Sequence, residues 1–504
     1  MSQTTTKKLL YIVLDGWGLT EPYSGNAVAL AKKPVFDALW DQQPHAQLDA
    51  SEEAVGLPVG QIGSSEIGHF TMGAGKILYQ DLVRINKAIK DGSFEHNLVL
   101  QKTFDWVKQH GSALHVIGLL SAGGIHSYET HIHAILEAAK NAGLSQVFVH
   151  VITDGRDVLP KSALQSIQKL EDKIAELGIG KIATVSGRYF AMDRDHNWDR
   201  TDKFMKVTQE TTADLADTAA TVVNDSYAAA ITDEYIEPRQ VVPGTMILKE
   251  HDAVLWANFR NDRPRQVTER LLILKDKLDL QLTTLTAYSP EYAVDIIFKR
   301  EEVKVTLGQV LSDAGIKQLR ITETEKFPHM TFFLNCKNEA PYPGEDRQMF
   351  ESYKDIKTHD EKPYMRTPEI AQALVEDMEQ EKHQVIFANL CNADMVGHTG
   401  NLPAAIQGVE TIDAALGKII PVAQAHGYQV IITADHGNAE EMRDKVTGET
   451  LSAHTTNQVP LIVLSPGITK LARSHGGLAD MAPTVLNLLD LPVPSEMTGV
   501  SMCP

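Results

Sequence analysis

Two groups of residues in this 504-residue chain have types and spacings that suit joint chemistry. The first is a set of carboxylates and imidazoles. Asp394 and His398 stand four residues apart, Asp435-His436 follows an apolar run, His454 lies in the polar stretch 452–457, and Asp15 closes the first apolar run. Oxygen and imidazole donors of this kind suit Mn, Zn, Co or Mg, and there are enough of them for two ions. Singly, each is as readily a cap or turn residue; their grouping at strand ends and glycine-containing turns favours a metal centre. The stretch Gly60 to His69 adds two candidate nucleophiles, Ser64 and Ser65. Its glycines allow a backbone to approach phosphate closely, and a serine beside a divalent cation loses its proton more readily. Composition alone fits a flexible surface turn as well, and it does not choose between the serines.

The second group is cationic. Arg156, Arg188, Arg194, Arg260 and Arg263 come from separate turns, each near the end of an apolar run. The guanidinium fork binds carboxylate and phosphate in a bidentate manner. Scattered arginines normally form surface ion pairs, but this shared placement, in a chain of formal charge -19, favours a convergent pocket for a small anion. Asp154 and Asp157 flank Arg156 as structural partners, or one of them acts as a general base. Lys326 and His329 are further cation candidates, whereas His45, His110, His115 and His475 read as core or surface residues.

Short apolar runs must position these groups. Leu9–Leu14, Val147–Ile152, Ile182–Val185, Val254–Ala257, Val385–Ala388, Val430–Ile432 and Leu461–Leu464 read as buried strands. Helix-period segments alternate with them: one over Lys161–Gly178 closing on its glycine, one opening at Pro368, and one running from Pro403 towards Gly427. The alternation predicts an α/β fold of parallel sheets covered by helices. The polar clusters follow the strands directly, where open parallel sheets bind ligands. Carboxylates and histidines gather near the N-terminus and after about residue 390, and the arginines between about 150 and 265. One domain inserted into another would explain that segregation.

Hydrophobic residues are 43% and charged residues 22%, as in soluble globular proteins. The acidic balance argues against nucleic acid or an anionic membrane as partner. No run approaches the roughly 18 apolar residues of a membrane span, and the start lacks a signal-peptide pattern. Three distant cysteines, Cys336, Cys391 and Cys503, suit neither a disulfide framework nor a thiolate zinc site, so a cytoplasmic protein is expected.

A family resemblance covers essentially the whole chain. Leu14-Asp15-Gly16-Trp17-Gly18, Ser65-Glu66-Ile67-Gly68-His69, Gly123-Gly124-Ile125-His126-Ser127, Asp154-Gly155-Arg156-Asp157, Gly187-Arg188-Tyr189, Met192 to Asp195, Phe259-Arg260 with Arg263, Glu323 to Lys326, Pro343 to Arg347, Asp394 to Gly400 and Ala434 to Asn438 resemble, in order, the cofactor-independent phosphoglycerate mutases. The chain departs from the family pattern at Ser64, Tyr128, 335–338 and 352–364.

The resemblance implies an alkaline-phosphatase-like metal-binding domain over 1–78 and 306–504, interrupted by a substrate-binding transferase domain over 79–305. Each would be a mainly parallel or mixed sheet covered by helices. It implies two Mn²⁺ ions, with Mg²⁺, Co²⁺ or Zn²⁺ as alternatives, held by Asp394, His398 and His454 and by Asp15, Ser65, Asp435 and His436. It selects Ser65 as the residue phosphorylated while 3-phosphoglycerate and 2-phosphoglycerate interconvert, without 2,3-bisphosphoglycerate. Arg156, Arg188 and Arg194 would hold the glycerate, His126, Arg260, Arg263 and Lys326 the phosphoryl group, and Asp157 would carry the hydroxyl proton. A monomer is implied. The competing readings are a sister phosphatase or sugar-phosphate mutase, and a non-catalytic metal-binding protein of the same fold.

Overall fold

The computed structural model describes residues 7–504; the start of the polar N-terminal stretch, residues 1–6, lies outside them. The chain divides into two units. One comprises the residues up to Tyr79 together with Glu302–Pro504, the other Gln80–Glu301.

The first unit is built on an eight-stranded sheet in the order Glu345–Phe350, Gln318–Glu323, Val385–Leu390, Lys8–Leu14, Tyr428–Thr433, Val459–Leu464, His45–Asp49 and His475–Gly477. The central strands are unbroken apolar runs, and every residue of Leu9–Leu14 is buried. A strand that alternated polar and apolar residues would expose half its side chains to the covering layers, so a sheet covered on both faces requires such runs. The first five strands are parallel, as the alternation predicts. Val459–Leu464 runs antiparallel to both its neighbours, which makes the sheet mixed. The segment between Thr433 and Val459 has no helical period and returns the chain as an irregular loop, so no crossover helix restores the strand direction.

Register decides what meets at the carboxyl-terminal ends of the central strands. Leu14 lies beside Leu390, and Val13 beside Thr433. The next residues, Asp15, the start of the helix Asn392–Gly397 and Asp435-His436, therefore leave the sheet side by side. Two glycines permit the crowding. A Cβ on Gly16 (φ +76) would stand 2.6 Å from the Asp394 backbone, and one on Gly68 would stand 2.7 Å from the Asp435 carbonyl oxygen. Gly68 belongs to the helix Ser65–Ala74, whose N-cap is Ser64 and whose C-cap is Gly75 in the left-handed conformation.

The second unit has its own sheet, ordered Asp295–Phe298, Gln281–Thr286, Ala253–Trp256, Leu114–Leu119, Val147–Thr153, Lys181–Gly187, Arg239–Val241 and Leu215–Ala216. Only the pairing of Lys181–Gly187 with Arg239–Val241 is antiparallel. The helix expected after Lys161 spans Ala163–Leu177 and ends on Gly178 at φ +69. Those opened by prolines span Thr367–Glu379 and Leu402–Ala425 in the first unit. Among the described residues, no helix is long and apolar enough to cross a membrane, and all three cysteines are free.

The second unit buries two imidazoles away from any carboxylate partner. Burial pushes His131, whose Nε2 faces Asn86 Oδ1 at 2.8 Å, down to about 3. Burial and then neighbouring His115 push His150 well below its ordinary value. Both stay neutral in the folded chain but protonate near 6.5 when unfolded, so the folded state loses stability as pH falls from about 6.5 towards 3. Amide exchange in strands Leu114–Leu119 and Val147–Thr153, corrected for intrinsic rate, should be faster at pH 5 than at pH 7.5; equal protection would refute this account.

Candidate active centre and anion-binding cluster

The carboxyl-terminal ends of the central strands in the first unit bring eight of the expected residues together: Asp15, Ser65, Lys326, Asp394, His398, Asp435, His436 and His454. All but His398 and His454 are almost wholly buried. The structure separates the two serines by role. Ser64 Oγ accepts from Ile67 N at 3.4 Å as the helix cap. Ser65 Oγ instead faces inward, 2.6 Å from Lys326 Nζ, 2.8 Å from His436 Nε2 and 3.3 Å from Asp15 Oδ1.

Three carboxylates share this buried space. Lys326 donates to Asp15 Oδ1 at 2.7 Å and to Asp394 Oδ2 at 2.6 Å. Burial alone would lower the lysine pKa, but Asp15, Asp394 and Asp435 outweigh it and hold the ammonium charged. Burial and the nearby Asp435 push the Asp15 carboxyl up. Burial also acts against the charged form of Asp394, yet Lys326 and the two histidines hold it well below the usual carboxylate range. Asp435 is held low against its burial by His436 and His69.

The donor set fits divalent cations. His398 Nδ1 donates to Ser452 O at 2.8 Å, and His454 Nδ1 to Gly63 O at 2.9 Å. In both neutral rings the lone pair is therefore on Nε2, and these two atoms face each other at 3.0 Å beside Asp394 Oδ1 at 3.2 and 3.1 Å. Such an arrangement is repulsive unless a cation or proton lies among the three, and backbone-anchored imidazoles are the usual way of orienting metal ligands. Nearby, Asp435 Oδ2 is buried without a hydrogen bond, 3.4 Å from His436 Nε2 and 3.3 Å from His69 Nδ1. Three overlapping groups place their ligand atoms within 4.8 Å of one another: Asp394–His398–His454, Asp15–Asp394–His436 and Asp15–His69–Asp435. The residues can hold divalent metal.

The sequence reading did not single out several members of this centre. His69 lies one turn after Ser65 on the same helix, and its Nδ1 is 2.9 Å from Ser65 O. Asn389 donates to Asp15 Oδ2 at 2.7 Å and Asn438 to Asp394 Oδ1 at 3.1 Å. Glu440 accepts from Gly18 N at 3.1 Å, Asn438 N at 2.8 Å and Asn457 Nδ2 at 2.9 Å, as well as from Thr455 Oγ1, tying three loops together. The helical spacing of Ser65 and His69 could have revealed His69. Asn389 heads the polar stretch that follows the Val385–Ala388 run, whereas nothing local marks Glu440. His329 lies beside His69, and burial with that neighbour pushes it down to about 3.

The arginines form a separate cluster in the Gln80–Glu301 unit. Arg188 is buried, with Nη1 2.6 Å from both Asp154 Oδ1 and Asp157 Oδ2. Its Nε and Nη2 have no partner among the described residues, which suits a bound anion. Asp154 and Asp157 thus pair with Arg188 rather than with adjacent Arg156, which bonds Glu234. The 154–157 turn explains this: Asp154 Oδ1 accepts the amides of Arg156 and Asp157, facing the carboxylates inward. Arg194 Nη1 and Arg260 Nε lie 3.2 and 3.1 Å from Asp262, and Arg263 donates to Met192 O at 3.1 Å. Burial and Arg188 push His126 down to about 4, so it is neutral at pH 7. Lys326, which the resemblance assigns to the phosphoryl group, lies 2.6 Å from Ser65 Oγ.

Lys326 has a calculable role in stability. Replacing it with Met leaves Asp15 and Asp394 buried without their ammonium, a loss of about 3–5 kcal/mol. Lys326→Met should unfold earlier than the parent in chelator and recover most of the difference in Mn²⁺. An unchanged midpoint in chelator would show that the ammonium does not compensate these carboxylates.

Comparison with known proteins is consistent with this division of labour. The sequence family described as BPG-independent PGAM N-terminus matches residues 85–290, and that described as Type I phosphodiesterase / nucleotide pyrophosphatase matches residues 310–473. The 2,3-bisphosphoglycerate-independent phosphoglycerate mutase of Thiobacillus denitrificans is 43% identical, covering 98% of each chain. That of Moorella thermoacetica is 42% identical, covering 100% of this chain and 99% of the relative. A crystal structure of Leishmania mexicana phosphoglycerate mutase at low cobalt concentration aligns with a TM-score of 0.53 at 29% identity, over 100% of this chain and 98% of that one. With near-complete coverage at this identity, the chain belongs to the 2,3-bisphosphoglycerate-independent phosphoglycerate mutase family.

Proposed function

We propose that this chain interconverts 3-phosphoglycerate and 2-phosphoglycerate through a phosphorylated Ser65, without 2,3-bisphosphoglycerate. The observation that carries the reading is Ser65 Oγ, at a helix N-terminus, held between Lys326 Nζ at 2.6 Å and His436 Nε2 at 2.8 Å. His436 Nδ1 faces its neighbour's carbonyl, Gly437 O at 3.3 Å, so the Nε2 lone pair beside Ser65 is left to hold a cation, and Lys326 stabilises the serine oxygen once its proton has passed to solvent. Ser65 Oγ then forms a bond to phosphorus as the bond from phosphorus to the glycerate oxygen breaks, and that oxygen takes a proton. The reverse step uses the other glycerate hydroxyl.

The Gln80–Glu301 unit supplies the substrate-holding side of this reading. Arg156, Arg188 and Arg194 bind the glycerate, and His126, Arg260 and Arg263 bind the phosphoryl oxygens together with Lys326. Asp157, oriented by Arg188, carries the proton between the two hydroxyls. Asp394, His398 and His454 would hold one Mn²⁺, and Asp15, Ser65, Asp435 and His436 a second; when bound, the ions supply positive charge that favours serine ionisation and neutralises phosphoryl oxygens. The residues 1–78 and 306–504 are accordingly read as the metal-binding domain and 79–305 as the transferase domain, in a cytoplasmic monomer.

With Mn²⁺ and 3-phosphoglycerate as sole substrate, 2-phosphoglycerate should form and stop forming on chelation, and Ser65→Ala should lose at least 1,000-fold in kcat, an order-of-magnitude expectation for removing a nucleophile. Release of inorganic phosphate alone would mean a phosphatase, and unchanged turnover in Ser65→Ala would remove that residue from the mechanism. The pH dependence has a definite sign. Asp394 raises the pKa of His398, and in His454 it overcomes burial to do the same. Protons therefore compete with metal at these rings more strongly below neutrality, and activity at limiting Mn²⁺ should fall steeply from pH 8 to pH 6. A flat profile would contradict the ligand roles.

A further inference from the structure

Asp262 is one of three acidic side chains in the arginine cluster, with Asp154 and Glu234, that the mutase reading leaves without a task. It lies between Arg260 and Arg263 in the loop after strand Ala253–Trp256. Its carboxylate is shared by three groups at once: Oδ2 is 3.2 Å from Arg194 Nη1, and Oδ1 is 3.1 Å from Arg260 Nε and 3.5 Å from His126 Nδ1. Oδ1 and His126 Nδ1 are both shielded from solvent, yet neither makes an aligned hydrogen bond. This is the geometry of a compromise, one anion placed among donors that no single orientation satisfies.

The partners of Asp262 are informative. Arg194 is assigned to the glycerate, and Arg260 and His126 to the phosphoryl group, so one resident carboxylate engages donors meant for two different anionic ends of a substrate. Across the cluster, Arg156 pairs with Glu234, Arg188 with Asp154 and Asp157, and Arg194 and Arg260 with Asp262; Arg263 has no carboxylate partner among the described residues. The Asp154 and Asp157 carboxylates are locked by backbone amides, by Ser121 or by buried Arg188. Asp262, by contrast, contacts arginines that are about half exposed, with side-chain exposures of 49% and 48%, and free to exchange partners.

We propose that Asp262 is a resident competing anion: it holds Arg194, Arg260 and His126 in place before substrate arrives, and its charge opposes the incoming anion. The inference rests on the mutase reading, which explains the use of such a device. A glycerate that must turn over on the protein, and a product that must leave, are hindered by binding energy that is present in the bound ground state and lost as the ligand turns or departs. A fixed like charge near the anion subtracts from that ground-state binding.

The test is calorimetric titration of the Mn²⁺-loaded full chain with inorganic phosphate and with phosphoglycerate at fixed ionic strength, alongside steady-state kinetics. Asp262→Asn removes the charge and keeps the shape, so Kd for both ligands should fall about 10-fold, as expected for one partly exposed charge a few ångströms away. KM and kcat should fall together, leaving kcat/KM within about threefold. Asp262→Glu retains the charge and should bind within about twofold of the parent. Weaker or unchanged binding in Asp262→Asn would overturn the proposal, and weaker binding in both variants would identify Asp262 as a positioning residue only. If the parent binds phosphoglycerate without isomerising it, the mutase reading fails while the competition stays measurable. If the parent binds neither ligand at millimolar concentration, the proposal falls as well.

Discussion

Three carboxylates follow the carboxyl-terminal ends of adjacent central strands in the larger unit's sheet and are buried together. That is the constraint around which this half of the protein is organised. Like charges in a water-excluded space are tolerated only with compensation, and the surroundings supply it in layers. Lys326 reaches two of the carboxylates. Asn389 and Asn438 donate to Asp15 and Asp394, and the Gly16 amide to Asp435. Imidazoles turned by backbone carbonyls face the remaining oxygens. The close approach of Gly16 and Gly68 follows from the same need, since a side chain at either position would push the carboxylates apart.

The smaller unit solves the opposite problem. Its guanidiniums gather at strand ends and would repel one another, and each solution differs with burial. Arg188, sealed from water, takes two carboxylates. Arg263, half-buried, has its pKa lowered by burial and then by Arg188, Arg156 and Arg194. The cluster therefore retains unspent attraction for an anion, and the larger unit retains unspent attraction for cations.

The strands and helices were legible because parallel sheets need unbroken apolar runs and helices need periodic ones; the Leu9–Leu14 and Val385–Ala388 runs lie inside the observed strands. Antiparallel pairing of Val459–Leu464 was not legible, since a buried run reads the same in either direction. Within the centre, types and positions marked Asp15, Asp394 and Asp435. The choice between Ser64 and Ser65 depends on which hydroxyl the helix start consumes, a matter of backbone geometry. The partner of Arg156 depends on Glu234, which is remote in sequence and arrives only through the fold. Glu440 was invisible for the same reason: its function is to receive amides from loops that sequence does not place together.

The order of pairing in the larger sheet has a consequence for biosynthesis. Lys8–Leu14 is its middle strand, yet its two neighbours are Val385–Leu390 and Tyr428–Thr433. On a ribosome adding roughly 5–20 residues per second, this strand, apolar from Leu9 to Leu14, spends on the order of 20–75 s exposed before its first partner emerges. The Gln80–Glu301 unit, by contrast, holds all its own strand partners and is complete well before that moment. The nascent chain therefore folds from the inside outwards, with the interrupting unit formed first and the interrupted one closing around its own beginning, and the first strand is the segment most in need of a holding chaperone.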